Sequence, residues 1–170
     1  MSHERQFDHE CRSCRTRCLL SCLLALGVAV AAPAAELQVQ GGWDLTLDGG
    51  ALIWGAGSDL GPALTSDPAA ITVSVINTGG NAWTVSARRA SPGWPHGLAL
   101  NCRRTGEGLG ALPLRGGAGF VPITDGPQVL FAGTGDALVI PLQLQVAGLT
   151  VRLGLWAHDL SLVLRVEETP

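Results

Sequence analysis

Leu37-Gln38-Val39-Gln40-Gly41-Gly42-Trp43-Asp44-Leu45-Thr46-Leu47-Asp48 carries an apolar or small residue at every odd position and a polar or small one at every even position. Successive side chains of a strand point to opposite faces, so a period of two predicts a strand with one buried face, bent at the Gly41-Gly42 pair. The period returns along the chain. Ile71, Val73 and Val75 alternate with Thr72 and Ser74, and Trp83, Val85 and Ala87 with Thr84, Ser86 and Arg88. Between them Asn77-Thr78-Gly79-Gly80-Asn81 offers residue types that tolerate positive φ, which predicts a hairpin. Further on, Leu142, Leu144 and Val146 alternate with Gln143 and Gln145; Val151, Leu153 and Leu155 follow; Leu160, Leu162, Leu164 and Val166 end the series. Residues 51–54, 98–103, 120–123 and 128–131 are shorter candidates. Roughly nine strands, separated by segments rich in glycine and proline, predict an antiparallel sandwich or barrel. No segment after the leader has a helical period, which disfavours α/β folds with crossover helices.

Upstream of the first strand the chain changes character. Arg12, Arg15 and Arg17 precede the apolar run LLSCLLALGVAVAA of residues 19–32, and Pro33-Ala34-Ala35-Glu36 follows. Basic residues, an apolar segment and small residues at an Ala-x-Ala site, in that order, are a secretory signal peptide. The 14 residues of the run fall short of the about 20 that a membrane-spanning helix needs. Residues 1–35 are therefore expected to be a cleaved leader with a long, basic, Cys-rich lead-in. The cut is expected after Ala34, with Ala32 at the −3 position, or after Ala35. The lead-in is long for such a peptide, which is consistent with a translation start downstream of Met1.

Four of the five cysteines, Cys11, Cys14, Cys18 and Cys22, lie in this leader. Their spacing superficially suggests zinc, with His3 and His9 as further ligands, but a zinc site needs four ligands held tetrahedrally by a folded scaffold. Lipidation at Cys22 is disfavoured because most of the apolar run follows that residue. Removal of the leader leaves Cys102 alone, unable to form an internal disulfide and expected as a small buried hydrophobe, with a reactive thiol or an intermolecular bridge as the alternative.

Residues 36–170 make one domain, long enough to bury a core without disulfides. Hydrophobic residues make up 46% of the chain, charged ones 15%, and the net charge is −3, a globular composition with no basic patch for nucleic acid. All 11 cationic side chains are arginine and tyrosine is absent, the mark of a GC-rich, bacterial-type genome. Catalytic patterns are missing. Gly106-Glu107-Gly108-Leu109-Gly110 looks like a phosphate loop, but Ala111-Leu112-Pro113 cannot open the helix such a loop requires, so a flexible hairpin loop is expected. His96 sits in a proline-rich turn and His158 beside Asp159, and no Gly-x-Ser-x-Gly elbow is present. The aspartates near turns suit backbone capping, and no Asp-rich run supplies the six to eight oxygens of a calcium site. No enzyme activity, cofactor or metal is expected. Of the five tryptophans, Trp43 and Trp83 fall on apolar faces and are expected in the core. Trp54, Trp94 and Trp156 are the candidate surface aromatics for a glycan or protein.

Gly154-Leu155-Trp156-Ala157-His158-Asp159-Leu160-Ser161-Leu162-Val163-Leu164 resembles the last-strand pattern of secreted bacterial fimbrial subunits and spore coat U-like proteins. Those end in a Gly-x-Tyr-x-Asp-like turn before an alternating strand; here Trp156 stands for the tyrosine and Asp159 comes one place late. The stretch from Val73 to Val85 is similar to the early hairpin of many bacterial surface sandwiches. The resemblance implies an all-β fold, an antiparallel immunoglobulin-like β-sandwich of about seven to nine strands, in which one subunit completes another with an N-terminal donor strand. Residues 36–47 would be that donor, through Leu37, Val39, Leu45 and Leu47, or else the protein's own first strand. The disulfide of many fimbrial subunits is impossible here. The expected function is a secreted or periplasmic structural or adhesive protein of the cell envelope, partnered by copies of itself or by other envelope proteins and touching the membrane only in transit. The alternative is a carbohydrate- or protein-binding module that uses the exposed tryptophans.

Overall fold

The computed structural model describes residues 34–45, 60–61, 63–90, 97–110, 113–150 and 161–169, all within the compact unit Pro33–Pro170. The expected leader lies outside the described residues up to residue 33, Ala32 included; Ala34 is exposed and Ala35 half-buried. Alternating stretches become strands: β1 (Glu36–Gly41), β2 (Ala63–Thr65), β3 (Ile71–Ile76), β4 (Ala82–Arg89), β5 (Ala99–Arg104), β6 (Val121–Ile123), β7 (Gln128–Thr134), β8 (Ala137–Ala147) and β9 (Leu162–Thr169), with no helix among the described residues. One sheet runs β1-β3-β8-β5-β6, with β2 continuing the line of β3 along β8; the other runs β7-β4-β9. All pairings are antiparallel. The described residues are thus all-β, two sheets of six and three strands packed as in a sandwich.

The core lies between the sheets. Val73, Val75, Ile140 and Leu142 come from the larger sheet, Trp83, Val85 and Phe131 from the smaller, and all are within 1% of complete burial. Trp83 meets Phe131 edge to face, centroids 6.2 Å apart at 82°, a geometry worth about 0.5–1.5 kcal/mol beyond the area it buries. The indole N–H donates to the Gly135 carbonyl at 2.6 Å, so the one polar atom of the ring is satisfied. Across the ladder from Trp83 stands Gly133. A Cβ there would lie 2.5 Å from Trp83 Cζ2 and 2.8 Å from Leu114 Cδ2, so the ring takes the space a side chain would need.

The Asn77–Asn81 turn corrects one expectation. Asn77, Gly79 and Gly80 do adopt positive φ, of 61°, 59° and 86°, but the turn carries the chain from one sheet to the other instead of closing a hairpin. Thr78 at its centre is fully buried. Its N–H and Oγ1–H donate to Asp136 Oδ1 at 3.0 and 2.7 Å, and Gly135 N–H donates to the Asn81 carbonyl at 3.1 Å. Asp136 belongs to the β7–β8 connection, which also crosses between sheets. The two crossings are locked together, and Thr78 holds Asp136 below the ordinary carboxyl value.

Other boundaries differ for local reasons. The first strand stops at Gly41, not at Leu47. Gly41 turns to φ 95°, where a Cβ would collide with the Ala70 carbonyl, and Gly42 N–H donates to that carbonyl at 3.0 Å. β8 begins five residues before the alternation at Leu142 makes it visible, because Leu138 and Val139 form a bulge opposite Ser74. Val139 takes φ 52°, its N–H donates to Ser74 Oγ at 3.0 Å, and both bulged side chains face out. Pro141, lacking an N–H, sits where β5 has just ended, so at most one ladder bond is forgone; its carbonyl still accepts from Thr105 N–H at 2.9 Å. Residues 46–59 and 151–160, which include the expected strands at 51–54 and 151–155, lie outside the described residues.

Candidate functional site: two open strand edges

Among the described residues the two flanks of the sandwich are finished differently. At the β6–β7 flank the β5–β6 connection is a hairpin loop as expected, and its described residues are tied together by side chains. Arg104, its side chain only 9% exposed, donates from Nε to the Gly116 carbonyl at 2.6 Å, from NH2 to the Leu114 carbonyl at 2.9 Å and from NH1 to Glu107 Oε1 at 2.5 Å. Glu107 Oε2 in turn accepts from Leu114 N–H at 2.7 Å. These contacts, the Arg104 bond first, hold the Glu107 carboxyl below its ordinary value. Thus fixed, the loop lays Arg115 against the outer edge of β7, where Arg115 and Ala132 exchange backbone bonds of 2.8 and 2.9 Å.

The opposite flank ends in β1 and β9. The Gly42 N–H bond to Ala70 fixes the parity of the β1–β3 ladder: Leu37 and Val39 stand in non-hydrogen-bonded pairs with Val75 and Val73 and direct their own N–H and C=O away from β3. Among the described residues no strand takes that side. Leu37 is half-buried against the core, and Val39, on the same face, is 47% exposed. Full burial of such a side chain is worth about 1.5–3 kcal/mol, so this face of β1, Leu37 mostly covered and Val39 about half, contributes about one such burial. β1 is therefore held chiefly by its ladder to β3. Two outlying contacts anchor its start, from Ala35 N–H to Glu168 Oε1 at 2.8 Å and from Asn77 Nδ2 to Glu36 Oε2 at 3.4 Å.

Of the four expected donor residues, Leu37 and Val39 are thus brought together on one face of an edge strand paired within its own chain. Leu45 lies beyond the strand and is 39% exposed, while Leu47 is outside the described residues. Trp54, Trp94 and Trp156, like His96 and His158, are also outside them. Trp43 packs half-buried on the core. Cys102 is completely buried on the inner face of β5, and burial pushes its thiol up to about 12. The outer face of the larger sheet is polar, but its groups bond to one another. Arg103 Nε donates to Gln143 Oε1 at 2.8 Å, Gln143 Nε2 to the Ser66 carbonyl at 2.7 Å and Asn101 Nδ2 to Gln145 Oε1 at 3.2 Å. Arg103 also lies over the Phe120 ring, 4.6 Å from its centroid.

Among the described residues no three His, Cys, Asp or Glu side chains group so as to hold a metal ion. The residues that sequence reasoning missed are Arg104 and Glu107, which close one flank, and Arg165 and Glu167, which line the other. Only their charge was visible in the sequence, not their place. Comparison of the chain with protein-family models, with curated proteins and with solved structures finds no match.

Proposed function

We propose that this chain is a non-enzymatic structural or adhesive module of the bacterial cell envelope, exported by the leader of residues 1–35 and folded as an immunoglobulin-like sandwich whose first strand passes between copies. The observation that supports it is the character of β1: an edge strand with a complete main-chain ladder, only Leu37 and a half-exposed Val39 as apolar anchors, and the Gly41-Gly42 pair at its end. A strand that leaves its own β3 and docks on the β3 of another copy regains the same register, Glu36↔Ile76 to Gly41↔Ile71. The exchange then costs mainly the entropy of association. Main-chain bonds supply the affinity and alternate side chains the specificity.

The test is a paired substitution, Val39→Cys with Val73→Cys, in protein recovered from the periplasm or medium of expressing bacteria. The two positions form a non-hydrogen-bonded pair, with Cα atoms about 4.5 Å apart, within disulfide reach. Cross-linked ladders on a non-reducing gel are expected. A disulfide found only within single chains would overturn the exchange, and protein that stays in the cytoplasm with an uncut leader would overturn the envelope reading itself.

A further inference from the structure

The second open edge points to a partner of its own and does not rest on exchange of β1. β9 pairs with β4 from Ala82↔Thr169 to Arg89↔Leu162. The bond from Ala90 N–H to the Ser161 carbonyl, 3.0 Å, fixes the facing of each peptide along it. Val163, Arg165 and Glu167 turn their N–H and C=O groups toward β4, and Leu162, Leu164, Val166 and Glu168 turn theirs away. Among the described residues nothing pairs with those outward groups. Edge strands left in this state are templates for another strand unless charge, proline or a bulge blunts them. β9 is ladder-paired without a break from residue 162 to 169, carries no proline or bulge, and its charges, Arg165, Glu167 and Glu168, are of both signs and so can pair across a second copy instead of repelling it.

We infer that β9 is a self-association edge, along which a second copy of this chain pairs its own β9 antiparallel about a two-fold axis at Val166. The two three-stranded sheets then form one six-stranded sheet across the dimer. The side chains select this register. Directly opposed residues must share a face, so the axis passes through a residue and not between two. An axis at Arg165 would set the two Arg165 side chains against each other, and like charges directly opposite are destabilising. An axis at Leu164 would set Val163 against Arg165 and leave Glu167 opposite Ser161.

With the axis at Val166, Arg165 of each copy faces Glu167 of the other, twice over. These are non-hydrogen-bonded pairs, whose side chains lie closest, and Val166 meets its own copy in a hydrogen-bonded pair. Arg165 and Glu167 are 74% and 61% exposed and already share the outward face, joined within the chain at 3.3 Å. The contact is isologous and closes on itself, so it yields dimers and not fibres.

The experiment is sedimentation velocity over a dilution series, on protein recovered from expressing cells and carrying the Val39→Cys and Val73→Cys pair, taking only the fraction whose disulfide closes within a single chain, so that β1 cannot exchange. A concentration-dependent dimer is expected. Arg165→Glu alone and Glu167→Arg alone each bring like charges together and weaken it about tenfold or more, given up to about 1 kcal/mol for each of two cross-strand pairs. The double reversal restores it. A monomer at every concentration, or singles without effect, or a double variant no better than the singles, would overturn the proposal. Should the locked background fail to fold, Val166→Cys in the otherwise unchanged chain is oxidised instead. Its Cα atoms would be about 5.5 Å apart across the axis, so a disulfide dimer is expected, whereas Val163→Cys, opposite Thr169 of the second copy, should give none. Equal cross-linking of both, or of neither, would overturn it.

Discussion

Among the described residues, one flank of this sandwich is finished by a side-chain cluster and the other by the strands β1 and β9. Beside β7, Arg104 gathers the Leu114 and Gly116 carbonyls and Glu107 into one cluster, and the loop so fixed covers the edge through Arg115. Beside β1 and β9, a bond from the Ala35 amide to Glu168 links the two strands across the seam. The difference teaches that alternation alone builds a sheet but does not close it. Closure here requires a nearly buried cation that satisfies several carbonyls at once, and where that device is missing the edge remains able to accept another chain.

That contrast can be broken at its stronger side first. Phe131→Ala on β7 removes a fully buried ring that packs on Trp83 and should cost about 3–5 kcal/mol, read as a lower urea midpoint; a cost as small as that of a β1 variant would make the two flanks equivalent. Next, Arg104→Ala strands three carbonyls, those of Gly106, Leu114 and Gly116, and Glu107, and should cost about 2 kcal/mol. It should also raise hydrogen exchange at the Arg115 and Ala132 amides, and unchanged protection there would mean the clamp is not what closes the edge. On the open flank, Leu37→Ala should cost only about 1 kcal/mol while shifting the Val39–Val73 cross-link from between chains to within them or the reverse. A larger loss would mean that β1 is part of the core and cannot exchange.

Acid provides the finest test. Glu107 and Asp136 have folded values lowered below the ordinary 4.5 and 3.8. The stability they contribute is present above those values and is lost as pH falls through the lowered folded ones, because the unfolded chain then takes up protons the folded one refuses. Glu107→Gln should flatten part of this acid limb and Asp136→Asn another part, as thermal unfolding followed between pH 5 and 2 would reveal. Superimposable acid limbs for wild type and both variants would show that neither carboxylate is coupled to folding.

Much of the architecture is legible before any coordinates. The inward sets Val73 and Val75, Trp83 and Val85, and Leu142, Leu144 and Val146 follow from a period of two, because a pleated strand can bury only every second side chain. Trp83 in the core and a buried Cys102 follow from the same count. The period also hides things. The bulge at Leu138 and Val139 breaks it, and half of β8 disappears from view; the open inner face of β1 obeys it, and Val39 looks as buried as Val73.

By itself, then, the chain's sequence determines that strands form, which face of each turns inward and that glycine and asparagine will turn the chain at residues 77 to 80. Only the tertiary structure decides that this turn crosses between sheets, that Asp136 holds it there, that Arg104 seals one flank and that Arg165 and Glu167 stand on an open edge. The physical reason is range. Alternation and turn chemistry act between neighbours in the chain, whereas sheet membership and edge closure are settled by hydrogen bonds between residues such as Thr78 and Asp136, 58 positions apart, which no local pattern records.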